Sequence, residues 1–593
     1  MKKRLLAAAL ICVLLSGCGT GAELPVLPET AEEERVIAYV PLDDRPDNVE
    51  RVVYLAESLG YTLEMPELDL YRTRLDHQPL NENGTQYGDM AVLYEWVLDQ
   101  EAAGCDRYIL SMDQLLSGGL VNSRSMTGDA IPIPGGGTVS ASELMDSLLS
   151  ALAEDENNVV WLLDSVMRLA PTVGYQGGTL EAYNALRSYG AAGRPALPAG
   201  DLEAGDVRTL YQLDSSGQPL DPAAFGLTEG QVDSYLSARS RKLALSERML
   251  HTVQCGGYEH FRVLMGIDDS SEEESIQKNE IAYLRSLLRE GDALLSGVDD
   301  LAFKAVAKLY LEECGWEGAA VSVAYFGGTE DQPACAYDYQ PLTKIVAEHM
   351  DFFGLTEAGS AEAELLVLVL TQPADETKKA AYYEALIDRL NDARKGGMPT
   401  ILIDAGNGKY GTVFHDALTK KTELGWLLSY AGFLDMAIVT GTALSHGVAR
   451  YAFLQSGQQT TVTEQAFAKT LADSIIKDFC YKHVVREDLL AYIRNDLDGS
   501  PDNFWDPEID REAVVKRLEM GMAAATGDIV KNLERSNYIS ALPSREAYAE
   551  RGWGGIMLTN YRFPWDRAFE IGMDLQVGEP MAPHQKFLGI YYQ

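Results

Sequence analysis

Short aliphatic and β-branched runs alternate through most of the chain with longer stretches whose apolar residues recur at spacings of three and four. The runs at residues 36–41, 62–66, 107–112, 159–163, 261–266, 293–296, 321–326, 365–370, 400–403 and 436–439 predict ten strands. The intervening 48–59, 90–102, 141–153, 274–289 and 301–312 have the period of amphipathic helices. Parallel strands cannot be joined by a tight hairpin and need a crossover, so the alternation predicts βα units around largely parallel sheets. Residues 190–221, rich in Gly, Pro, Ala and Asp, read as a long excursion before a helix near 229–252. From about Thr463 the pattern turns mainly helical, and the chain closes on an aromatic-rich tail.

Ten strands exceed the eight of one closed barrel. The expected fold class is therefore α/β: a TIM-barrel-like (β/α) unit over 36–315, a smaller doubly wound α/β sheet over 316–460, and a mainly helical C-terminal region over 461–593. Ahead of these, Lys2, Lys3 and Arg4 precede an apolar run from Leu5 to Leu15 and then Leu15-Ser16-Gly17-Cys18. This resembles a bacterial lipoprotein signal, with an ordinary secretory peptide as the alternative. The resemblance implies a signal peptide over 1–17, Cys18 as the lipidated N-terminus, a solvated tether over 18–35, and an extracytoplasmic protein anchored to a bacterial membrane. No later stretch reaches the ~18 apolar residues of a spanning helix, so acyl chains would be the only anchor.

Composition narrows the partners. With 46% hydrophobic and 23% charged residues the chain has the balance of a packed globular protein. Its 89 Asp and Glu against 49 Lys and Arg give a net charge of -40, which repels phosphate backbones and argues against nucleic acid. A glycan or small-molecule substrate is the expected partner. Beyond Cys12 and Cys18, the remaining cysteines, Cys105, Cys255, Cys314, Cys335 and Cys480, form no C-x-x-C pair.

The strongest chemical signal is positional, because acids recur where a strand pattern ends. Asp43 and Asp44 follow the first strand, Asp113 the third, Asp164 the fourth, Asp268 and Asp269 the fifth, Asp299 and Asp300 the sixth, and Asp404 the ninth. Such ends share the face of a sheet where ligands bind. Paired carboxyls suit glycosidic chemistry: one stays protonated to supply the leaving oxygen, and the other stays ionised against positive charge at the anomeric carbon. In substrate-assisted variants the second orients the sugar's own N-acetyl group. Asp268-Asp269 and Asp299-Asp300 are thus the candidate catalytic pairs. Asp43, Asp44, Arg45, Asp113, Asp164, Arg168, Asp404 and Asn407 are candidate substrate-binding residues. The competing reading makes these acids helix N-caps and the arginines structural ion-pair partners. A calcium or magnesium cluster is a third reading, without the spacing of a calcium loop. The eight histidines form no zinc motif and there is no G-x-S-x-G, so neither metal nor cofactor is expected. Trp565 is either a sugar-stacking platform or a buried tail aromatic.

The segment Pro41 to Pro46, Ser111-Met112-Asp113 with Gly118-Gly119 and Ser123-Arg124, Ser165 to Pro171, Gly266-Ile267-Asp268-Asp269 and Pro564 to Glu570 together resemble the bacterial family catalogued as domain of unknown function 4127. The resemblance spans nearly the whole mature chain and implies no activity. The family pattern carries two Asn before a Gly-Thr pair; here Asp435-Met436-Ala437-Ile438 precedes Gly441-Thr442 without them. The two Asp doublets are also similar to the acid pairs of barrel hexosaminidases, a fold-level analogy. The expected function is a glycoside hydrolase-like enzyme on amino-sugar glycans, with a non-catalytic carbohydrate- or small-molecule-binding lipoprotein as the alternative.

Overall fold

The computed structural model describes residues 29, 34–198, 204–269, 275–334, 337, 338, 340–432, 435–502, 504, 509–536 and 555–578. Cys18 and Cys335 lie outside them. In chain order the first strands are β1 (Arg35–Val40), β2 (Tyr61–Glu64), β3 (Arg107–Ser111), the short antiparallel pair β4 (Ala130–Pro132) and β5 (Thr138–Ser140), β6 (Val159–Val166), β7 (Phe261–Ile267) and β8 (Ala293–Ser296). Six of them make one parallel sheet in the order β2-β1-β3-β6-β7-β8. The strands are buried on both faces, as sheets wrapped by crossover helices are.

The barrel-like unit expected over 36–315 is instead an open sheet, with β2 and β8 at its edges. Among the described residues no strand closes it. The reason is the direction of winding: β2 adds to one side of β1 and β3 to the other, whereas a barrel needs every crossover to step the same way.

The second sheet contains β9 (Ala319–Phe326), β10 (Leu355–Glu357), β11 (Leu365–Leu370), β12 (Thr400–Asp404) and β13 (Ser429–Gly432). It is also parallel, in the order β10-β9-β11-β12-β13. The strand expected at 436–439 is the first turn of the helix Met436–Ser456, and β13 lies just before it. That helix is buried almost along its whole length, so its first turn is a continuous apolar run that periodicity cannot tell from a buried strand.

The two sheets share one core. Tyr39, Ile109 and Trp161 from the first and Val321, Val367 and Ile401 from the second pack against Phe303 and Tyr310 of helix Leu301–Glu313 and against Ala443 and Phe453 of helix Met436–Ser456. Close approach of these helices depends on Gly441, where a Cβ would fall 1.8 Å from Asp300 Oδ2 and 2.5 Å from Lys304 Cε. The C-terminal region is mainly helical: Thr461–Ser474, a π-helical segment Ile475–Val485, Arg486–Asn495 and Arg511–Ser536. An antiparallel pair, β14 (Ile556–Arg562) and β15 (Gly572–Val577), follows. Cys105, Cys255, Cys314 and Cys480 are free thiols.

Candidate functional site

The carboxyl ends of the first sheet open into a cavity of about 290 Å³. Arg45 and Asp47 reach it from the loop after β1, and Leu120, Val121 and Arg124 after β3. Arg168 and Thr172 come from the loop after β6, Asp268 and Asp269 after β7, and Asp299 after β8. The sheet reverses direction between β1 and β3, and that switch point is where open α/β sheets leave a crevice. Gly118 and Gly119, at φ 72° and 119°, turn the chain after β3 so that Leu120 to Arg124 come back over the mouth. The far wall is Tyr337, Asp435, Trp565, Arg567, Phe569 and Glu570. Asp435 rides on the helix between the two sheets, immediately ahead of Met436. A larger hollow of about 820 Å³ lies at the amino-terminal edge beside Arg35 and Lys469, away from every strand-end acid.

Each candidate acid that reaches the cavity is met by an arginine. Arg45 bonds both oxygens of Asp299, at 3.0 and 2.5 Å. It is held from behind by fully buried Asp43, which accepts from Arg45 Nε at 3.0 Å and Nη2 at 2.8 Å, and from Asn48 Nδ2 at 3.0 Å. Arg124 Nε donates to Asp268 at 2.8 Å, and Arg168 Nη1 to Asp269 at 2.9 Å. Trp565 Nε1 donates to Asp44 Oδ1 at 2.9 Å, and the Arg45 guanidinium lies 4.8 Å from the Trp565 ring centroid. Trp565 is half-buried and lines the cavity, held in a left-handed backbone conformation at φ 52°.

Protonation divides the cavity. Burial, and then the charge of Asp268, push the Asp269 carboxyl upward. Asp435 is pushed well above the carboxylate range by burial and by the nearby Asp269, Asp338 and Asp299. Glu570 is likewise raised well up, by burial and Asp47. Crowding of carboxyls in a desolvated pocket thus favours the protonated forms of Asp435 and Glu570 on the far wall and, beside Arg168, of Asp269.

Several candidates stand elsewhere. Asp113 and Asp164 both pair with buried Lys242, outside the cavity lining, and Ser246 also donates to Asp164. Asp300 pairs with Lys304 Nζ at 2.9 Å inside the shared core. Asp404 belongs to the second sheet, where it accepts from Gly406 N at 3.0 Å and the Tyr430 hydroxyl at 3.2 Å, with His483 Nδ1 at 3.5 Å. Asn407, at φ 49°, turns the loop beyond it. Asp300 and Asp435 both precede helices without capping them through their side chains, so capping does not explain either.

Sequence reasoning missed Asp435, Glu570, Asp47, Arg567 and Tyr337 as members of the site. Arg124, Arg567 and Glu570 do fall in the segments that carry the family resemblance, which was the available signal. Asp435 and Tyr337 follow no strand pattern. Among the described residues no three His, Cys, Asp or Glu side chains converge as a metal site, and no described helix is long and apolar enough to cross a membrane. Among curated proteins and among solved structures nothing matches the chain. Residues 37–574, which hold every wall of the cavity, match the family described as Protein of unknown function (DUF4127), and the chain belongs to that family.

Proposed function

We propose that the protein is a glycoside hydrolase-like enzyme acting on amino-sugar-containing glycans at this cavity, carried on a lipid anchor outside the cytoplasm. One observation supports the chemistry above all: Asp435 and Asp269, whose carboxyls burial and neighbouring charge push upward, share a small cavity with Asp299, both of whose oxygens accept from Arg45. Two carboxyl roles set apart by environment are what glycosidic cleavage needs. Asp269 and Asp435 hold the proton for the leaving oxygen between them. As the bond from that oxygen to the anomeric carbon breaks, Asp299 balances the positive charge; water then adds to the carbon and returns its proton to the acid pair. Trp565 and Phe569 offer apolar faces on which a sugar ring can lie.

The test is turnover of a panel of amino-sugar glycans by the wild type and by Asp299→Asn and Asp435→Asn. Each substitution is expected to lower turnover by a factor on the order of 10² or more with folding intact. Cleavage that both variants perform at the wild-type rate refutes the assignment. A second reading, binding without turnover, draws on the arginines already engaged with Asp268, Asp269 and Asp299. It predicts saturable glycan binding with no cleavage of any panel member. The anchor is tested separately: Cys18→Ser should move the protein from the membrane to the soluble fraction, and unchanged membrane association refutes lipidation.

A further inference from the structure

The arginines of the cavity are not equally engaged. Arg124 spends its donors on Asp268 and on Thr172 Oγ1, at 3.0 Å. Arg168 spends its own on Asp269, on the Ala170 carbonyl at 2.9 Å and on the same Thr172 oxygen at 3.2 Å. Arg567 is different. Its Nη2 donates to the Val173 carbonyl at 2.7 Å, while its Nε is buried with no hydrogen-bond partner among the described residues. A buried guanidinium nitrogen without an acceptor costs the full desolvation of that donor unless a ligand supplies the oxygen. Burial works against the charge on Arg567 and Arg168 repels it, as it repels Arg124, while Asp502, which also lines the cavity, is the acid that most favours that charge.

We propose that the Arg567 side of the cavity is a subsite for a single carboxylate on the substrate, making that substrate an acidic sugar. This rests on the cavity being the substrate site. A planar carboxylate matches the edge of one guanidinium, accepting from Nε and from the second hydrogen of Nη2. A monoanion suits the surroundings better than a phosphate dianion, because Asp299 and Asp502 line the same small cavity. The sugar is thus oriented with its carboxylate toward Arg567 and its glycosidic oxygen toward Asp269 and Asp435.

The test compares glucuronate with glucose, and inorganic phosphate as a third probe, in titrations of the full chain labelled with ¹⁵N-arginine. The Arg567 Nε–H resonance is identified by its loss in Arg567→Gln. Glucuronate is expected to shift that resonance saturably and to bind at least about tenfold more tightly than glucose, a difference of ~1.4 kcal/mol. Arg567→Gln should abolish the preference, and Arg567→Lys, which keeps the charge but not the planar edge, should restore only part of it. Equal binding of glucose and glucuronate overturns the subsite while leaving the cavity as a sugar site. Preferential binding of phosphate overturns the carboxylate assignment. Binding of none of the three overturns the subsite and the sugar-site reading together. Should either variant fail to fold, the wild-type comparison alone still decides.

Discussion

Asp44 offers the sharpest test of the electrostatics around the cavity, because replacing it should stabilise the protein. Burial is the main reason its carboxyl rises from 3.8 to about 6, with the neighbouring Asp43 adding to it and the hydrogen bonds from Trp565 and Thr73 working against it. Both bonds end on one oxygen: Oδ1 accepts from Trp565 Nε1 at 2.9 Å and from Thr73 N at 3.0 Å. Asn keeps that oxygen and cannot ionise. In the wild type the folded chain holds the Asp44 proton more tightly than the unfolded chain, so stability falls as pH rises from about 4 to about 6 and then levels off. The fall amounts to ~3 kcal/mol. Asp44→Asn removes it, less about 1 kcal/mol for an amide nitrogen that gains no acceptor. The variant should therefore gain ~2 kcal/mol at neutral pH and lose slightly below pH ~4.

Urea unfolding followed by tryptophan fluorescence at both pH values measures the difference through the midpoint. In thermal scans the gain at neutral pH should be a few degrees at most, since about 2–4 °C per kcal/mol is already the scale for much smaller chains. Asp44→Ala, which removes the acceptor as well, should lose the gain. An offset between Asn variant and wild type that is the same at both pH values, or a less stable variant at neutral pH, refutes the argument: it would mean that folding does not penalise the ionised Asp44 carboxylate.

Three further substitutions probe the buried charges and the helix contact. Lys242→Met strands Asp113 and Asp164 without their cation and should cost ~3–5 kcal/mol, more at neutral than at acid pH because the orphaned carboxyls can then take up protons; a loss below about 1 kcal/mol in thermal unfolding refutes the pairing. Gly441→Ala places a methyl against Asp300 and Lys304 where no space exists and should cost ~1–3 kcal/mol by the same measurement, whereas an unchanged melting temperature would show that the helices can move apart freely. Asp43→Asn should destabilise by about 3 kcal/mol, since it takes an anion from buried Arg45, while Asp299→Asn, whose side chain is 24% exposed, should cost ~1 kcal/mol or less; equal losses would refute the division between a positioning residue and a substrate-facing one.

What the chain revealed before its structure follows the range of the interactions involved. A strand followed by acids is a local pattern, and the first sheet does carry Asp268, Asp269 and Asp299 to one cavity by that device. Strand order is not local. Six βα units can wind one way toward a barrel or both ways from β1, and the choice rests on whether β3 lands beyond β2 or on the other side of β1. Apolar runs in the middle of the chain were legible as buried, yet the run at 436–439 reads as a strand and is the first turn of a helix, a difference that only the length of the helix behind it reveals.

The far wall of the cavity shows the same limit in its strongest form. Trp565 and Asp44 are hydrogen-bonded across 521 residues of sequence, and Arg45 meets Asp299 across 254. No spacing rule reaches that far, so the half of the site brought by the C-terminal segment could be anticipated only from its resemblance to a family. Asp435 lacked even that. Its importance comes from being delivered, at the head of a helix buried between two sheets, into the field of Asp269, Asp338 and Asp299. A carboxyl in that position is pushed well above the usual carboxylate range by burial and neighbouring charge that exist only once both sheets have packed on one core. The raised carboxyl is therefore made by tertiary structure: the chain supplies an aspartate at position 435, and the meeting of the two sheets supplies the burial and the neighbouring charges that favour its protonated form.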